Sequence, residues 1–183
     1  MADILALGEA MVEFVRLPSE IDGRPAYRQG FGGDTSNAII AAARQGAKTG
    51  YITAVGGDPF GEELLGLWTR EGVQTETVKV APQDPTGVYF VQPRASGHSF
   101  SFARRGSAAS LYAPGDLPEA AIRGAKILHV SALSQAISPT MCAAVRKAAE
   151  IAKDAGVLVS YDTNLRLNPV SYTHLTLPTT PYV

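Results

Sequence analysis

Three neighbouring stretches decide the architecture: KILHV at 126–130, SPTMCAAVRKAAEIAKDAG at 138–156 and VLVSYD at 157–162. The first and third are short apolar runs of strand length. Between them, Ser138 stands where a helix N-cap belongs, Pro139 takes the first helical position, and Met141, Val145, Ala148 and Ala152 recur along one helix face until Gly156 stops it. A strand, a helix over 139–155 and a second strand make a right-handed parallel crossover. The stretch therefore predicts an α/β fold.

Read outward toward the N-terminus, the same rhythm returns. Residues 3–7 are apolar and end at Gly8-Glu9, and 11–15 alternate like a half-buried strand. Residues 19–28 read as a polar loop. Gly30-Phe31-Gly32-Gly33-Asp34 then leads into a helix over 36–45 that Gly46 ends. A buried strand at 49–55, a break at Gly56-Gly57-Asp58-Pro59 and an amphipathic helix at 60–71 give a further βα unit. The middle differs: 87–92 and 98–104 are rich in Val, Tyr and Phe, are separated by Pro93-Arg94-Ala95-Ser96-Gly97, and predict a β-hairpin outside the main sheet. A short helix at 117–123 precedes the deciding stretch.

The chain has 183 residues, enough for about one domain. Sixteen Lys and Arg against 17 Asp and Glu give a net charge of −1 with no basic block, which argues against nucleic acid as a partner. The single cysteine, Cys142, excludes a disulfide framework or a cysteine-based zinc site within one chain, and His98, His129 and His174 lack metal-ligand spacing, so no metal ligands are expected. Met1 to Val15 lacks the basic start of a signal peptide, and no apolar run is long enough to cross a bilayer. A soluble, cytoplasmic protein is the expectation.

Three places are candidates for chemistry. The Gly32-Gly33-Asp34 turn lets backbone approach a ligand at a helix N-terminus, although a tight strand-to-helix turn needs the same residues. It matches neither the dinucleotide fingerprint nor the P-loop. Arg104-Arg105 at the hairpin end, with Tyr89 on the partner strand, suits a carboxylate or phosphate; solvated arginines and a packing tyrosine are the plain alternatives. Asp162-Thr163-Asn164-Leu165-Arg166 follows a parallel strand, where open α/β sheets bind ligands, and Asp162 equally suits a turn cap.

Gly8-Glu9, Gly32-Gly33-Asp34-Thr35-Ser36-Asn37, Val55-Gly56-Gly57-Asp58-Pro59-Phe60-Gly61, Thr86-Gly87-Val88-Tyr89, Arg104-Arg105-Gly106-Ser107-Ala108 and Asp162-Thr163-Asn164-Leu165-Arg166 together resemble the N-terminal half of a ribokinase-like (PfkB) carbohydrate kinase. Within that family the chain is most similar to the 2-keto-3-deoxygluconate kinases. The resemblance implies a truncated, ribokinase-like, doubly wound (Rossmann-like) sheet over 1–168 with a small β lid, at about 11–31 and 86–105, covering the sugar. It implies ATP and Mg²⁺ as cofactors, and a substrate site of Gly33, Asp34, Asn37, Tyr89, Phe102, Arg104 and Arg166, with Asn164 and Arg166 toward the phosphates. Arg104 and Arg166 would hold the carboxylate of a sugar acid, since an unpaired buried guanidinium is costly. A fructokinase or ribokinase, or a non-catalytic sugar-acid binding fragment, is the alternative. The family's catalytic aspartate and nucleotide pocket lie in a half beyond this match, so no catalytic residue is assigned and the chain alone is expected to be inactive. Lid strands are also expected to serve in a homo-oligomer.

Residues 169–183 carry four Thr and three Pro and no charge, and read as foreign sequence of the adapter read-through kind, or as a genuine disordered tail. The sheet's flank is expected to be uncovered, which promotes self-association.

Overall fold

The computed structural model describes residues 2–95 and 97–164. Its centre is a parallel sheet of β1 (Ile4–Leu7), β4 (Thr49–Gly56), β5 (Val73–Gln74), β6 (Val78–Ala81), β9 (Ile127–Ser131) and β10 (Leu158–Asp162). The order is β10-β9-β1-β4-β5, with β6 also pairing with β4. Every pairing in it is parallel, as the crossover reading required.

Alternation along the strands sends side chains to two faces, and helices cover both. On one face α1 (Ser36–Arg44) and α2 (Pro59–Arg70) bury Ile39, Leu64 and Trp68 against Tyr51 and Val55. On the other, α3 (Glu119–Gly124), α4 (Ala132–Ile137) and α5 (Pro139–Asp154) bury Met141, Val145, Ala148 and Ala152 against Leu5, Leu7, Ile52 and Leu128. The predicted α5 stripe is thus the buried stripe. Its caps are also as read: the Ser138 hydroxyl accepts the Met141 N–H at 3.0 Å, and Pro139 opens the helix.

A second, four-stranded sheet is ordered β3-β2-β7-β8, from β2 (Ala10–Ile21), β3 (Arg24–Gly33), β7 (Val88–Arg94) and β8 (Gly97–Ala103). β2 leaves the core sheet directly after β1, and β3 returns the chain to α1 through Gly33. Phe14 stacks on Phe90 at 5.5 Å and meets Phe60 of α2 edge-on at 5.8 Å, which fixes the lid to the core.

The polar loop expected over 19–28 is instead the tip of a long hairpin. β2 runs to Ile21 and β3 starts at Arg24, with Asp22 and Gly23 at φ +52° and +70° in the turn between them. Residues 19–28 at this tip are almost all exposed, on both faces of the hairpin, so they need no apolar alternation. The helix α4 was also not anticipated; it is one and a half turns long, and the Ser131 hydroxyl caps it through the Ser134 N–H.

Candidate active site

The lid's inner face and the ends of β1 and β9 bring most of the candidate residues together. Tyr89 on β7 and Phe102 on β8 are register partners, and their rings stack at 5.7 Å. The Arg104 guanidinium lies 5.7 Å from the Phe102 ring centroid. Tyr89 donates its hydroxyl to Glu13 on β2 at 2.5 Å. Burial, then this bond to a carboxylate, raises the Tyr89 pKa, so the hydroxyl keeps its proton. Gly32 lies beneath: a Cβ there would stand 2.2 Å from the Tyr89 hydroxyl.

Arg104 is already partnered. Its Nη2 lies 3.0 Å from Glu9 Oε2, and the Glu9 side chain is only 3% exposed. Burial pushes the Glu9 carboxyl up to about 7; the Arg104 charge works against the rise and the nearby Asp34 charge adds to it. The other carboxylate oxygen, Oε1, is buried without a hydrogen-bond partner. The argument that a lone guanidinium needs a substrate carboxylate therefore does not apply to Arg104.

Asp34 is held by the protein itself. Its Oδ1 accepts the N–H of Glu9 at 2.9 Å and of Thr35 at 2.8 Å, while Oδ2 accepts the hydroxyl of Ser131 at 2.7 Å and that of Ser134. One carboxylate thus ties the ends of β1, β3 and β9 together. Gly33 has φ +150°, and a Cβ on it would stand 2.4 Å from the Glu9 carbonyl oxygen, so only glycine lets the turn close on β2.

Asn37 is placed differently from the Tyr89 group. It is exposed on the first turn of α1 and lines a groove of about 440 Å³ with Phe31, Ile40 and Arg44. Asn164 follows β10 with φ +35°, its N–H on Asp162 Oδ1 at 2.9 Å. Arg166 and the tail at 169–183 lie outside the described residues. Among the described residues no group of three His, Cys, Asp or Glu side chains is arranged to hold a metal ion, and no helix is long and apolar enough to cross a membrane.

Sequence reasoning alone does not single out Glu13, Ser131 or Ser134, and gives Glu9 no role beyond its place in the Gly8-Glu9 motif. A signal existed for Glu9 and Glu13: acidic residues inside the apolar run from Ile4 to Val15 must find partners if that run is buried.

As chemistry, two carboxylates, a phenol, a guanidinium and a stacking ring stand together here, a set of acceptors, donors and apolar surface of the kind a polyol needs. Residues 1–178 match the model of the pfkB family carbohydrate kinase. The chain belongs to the pfkB family. Among its pfkB relatives, fructokinase-2 of Solanum lycopersicum is 38% identical over 167 residues, covering 90% of this chain and 51% of that protein. The 2-dehydro-3-deoxygluconokinase of Thermoproteus tenax is 32% identical over 170 residues, covering 91% and 51%. The crystal structure of Xylella fastidiosa fructokinase with bound ATP superposes with a TM-score of 0.84 at 26% identity, covering 91% of this chain and 53% of that one. The ribokinase-like reading of the fold thus holds, and the chain spans about half the length of the curated relatives it matches.

Proposed function

We propose that the full-length protein moves the γ-phosphoryl group of ATP onto a sugar hydroxyl, and that this chain supplies the lid and the sugar-facing half of the site. The carrying observation is the group of Glu13, Tyr89, Phe102 and the Glu9–Arg104 pair over the Gly32-Gly33 turn. Gly33 backs the sugar, Tyr89 and Phe102 line the lid, and Arg104 reaches its polar end. Asp34 borders this space from the turn, whereas Asn37 lies apart from it on the first turn of α1.

Two substrate readings each have support. A neutral ketohexose is favoured by the internal partner of Arg104 and by the names of the fructokinase relatives. 2-Keto-3-deoxygluconate, phosphorylated at its 6-hydroxyl, is favoured by a guanidinium on the lid's inner face and by the similarity to the Thermoproteus tenax enzyme. In this second reading Arg166 is the other carboxylate ligand.

ATP with Mg²⁺ is the proposed phosphoryl donor; the metal, when bound, would neutralise phosphate charge. Asn164 fits the phosphate side, since it stands just past the carboxyl end of β10, where parallel α/β sheets take ligands. The lid strands, with β3 and β8 at the edges of their sheet, are proposed as the part through which two copies pair.

The test is a coupled assay of ADP release by the full-length protein with ATP and Mg²⁺, offering D-fructose and 2-keto-3-deoxygluconate in parallel. Turnover of either identifies the substrate class, and turnover of neither sugar overturns the kinase reading.

A further inference from the structure

The Glu9–Arg104 pair joins two parts of the molecule that are far apart in sequence. Glu9 leaves the core at the end of β1, and Arg104 follows the last lid strand. The pair is nearly closed to water, with Arg104 20% exposed and Glu9 3% exposed. A third charge placed beside such a pair is expensive unless one of the three is neutralised. Glu9 has the means to do so: Oε2 faces Arg104, whereas Oε1 is buried, unpartnered and able to take a proton.

Three other elements present charged or titratable groups here. Arg104 comes from the lid, Asp34 from the turn before α1, and Tyr51 from β4. Arg104 holds Glu9 ionised, while burial and the Asp34 charge favour its neutral form, and together these leave the carboxyl at about 7. Burial raises the Tyr51 hydroxyl well above its ordinary range, so Tyr51 does not exchange protons in the same interval.

We propose that Glu9 is a specificity-determining residue that acts through Arg104: deprotonated, it keeps the guanidinium for itself and the site takes a neutral sugar; protonated, it releases the guanidinium to a sugar carboxylate. Above pH 7, where Glu9 of the free protein is ionised, binding of an anionic sugar then carries one proton from solvent onto Glu9, and binding of a neutral sugar carries none. This rests on the reading of the lid's inner face as the sugar site, and it deepens that reading by saying how one site sorts acidic from neutral sugars. Glu9 is a positioning residue here and does not touch the sugar.

The test is isothermal titration calorimetry of the full-length protein between pH 6 and 8.5, in phosphate and in Tris, with 2-keto-3-deoxygluconate as the anionic probe and D-fructose as the neutral one. The expected result is an anionic-probe Kd that is flat at the acid end and weakens by about tenfold per pH unit above 7, the slope of one linked proton. At pH 8 its enthalpy should differ between buffers by close to one proton, and D-fructose should show neither effect. Glu9→Gln should make anionic-probe binding independent of pH and tighter than wild type at pH 8. Anionic binding by the wild-type protein at pH 8 without proton uptake overturns the proposal, whether or not Glu9→Gln folds. Binding of D-fructose alone, even at pH 6, overturns it while leaving the sugar site standing. Binding of neither sugar at any pH overturns both.

Discussion

Asp58 Oδ2 accepts the backbone N–H of Thr86 at 2.7 Å, and Asp58 Oδ1 accepts the Thr86 hydroxyl at 2.8 Å. The same carboxylate caps α2 through the Gly61 N–H at 2.8 Å. One side chain therefore anchors both the helix that packs under the core sheet and the segment that enters lid strand β7.

Asp58→Ala removes the cap and leaves the Thr86 groups without their acceptor, so a loss of about 2 kcal/mol is expected, read as a lower urea midpoint. Burial pushes the Asp58 pKa up, but the bonds from Thr86 and Gly61 outweigh it and the net shift is downward. A carboxyl with a depressed folded pKa contributes stability above its unfolded value, and that contribution is lost as pH falls through the folded value. The wild-type protein should therefore lose more stability than Asp58→Asn on acidification from pH 5 to 3. Parallel pH profiles for the two would contradict the anchoring role.

The gap between sequence and structure follows from the same physics. The core sheet was legible because its strands are buried on both faces and its helices carry a one-sided stripe, as α5 shows with Met141, Val145, Ala148 and Ala152. Residues 19–28 failed because a two-sided solvated hairpin has no apolar period to detect. The Asp22-Gly23 pair was the available signal, since that dipeptide favours tight hairpin turns. For the site, Tyr89, Phe102 and Arg104 were legible as a group. The Glu9 partner that changes the meaning of Arg104 was not, because pairing across 95 residues leaves no local pattern.

Gly33→Ala should break the turn that joins lid to core. Its Cβ would meet backbone, the Glu9 carbonyl oxygen at 2.4 Å, and that contact has no flexible end to yield. We expect a loss of about 2 to 3 kcal/mol together with loss of sugar binding. Gly46→Ala is the control. Its φ is +87° but nothing lies within 4 Å of the added Cβ, so backbone strain of about 1 kcal/mol is all it should show. Equal thermal shifts for the two variants would refute the close-approach argument.

Trp68 is the only tryptophan, fully buried, with its ring 4.9 Å from that of Tyr51 and its indole N–H on the Ser36 hydroxyl at 3.0 Å. It locks α2, α1 and β4 together. Trp68→Ala should cost about 4 kcal/mol, a large share of the stability of a domain this size. Circular dichroism melts would register the drop, and a melting temperature within two or three degrees of wild type, equivalent to roughly 1 kcal/mol, would be incompatible with that packing.

Leu158 lies on β10, at the end of the sheet formed by the described residues, and is 64% exposed although it belongs to a parallel strand. With Ile4, Ile39, Ile127 and His129 it lines a groove of about 340 Å³ on the face that α1 covers only in part. An apolar strand face with an unpaired neighbouring edge promotes association between copies. The 183-residue chain should therefore form soluble oligomers or precipitate as its concentration rises, seen as increasing light scattering. Leu158→Lys places a charge on that edge at little cost to a side chain already in water, so it should shift the population toward monomer. A wild-type chain that stays monomeric and unfolds in one sharp transition would show that this face does not drive association.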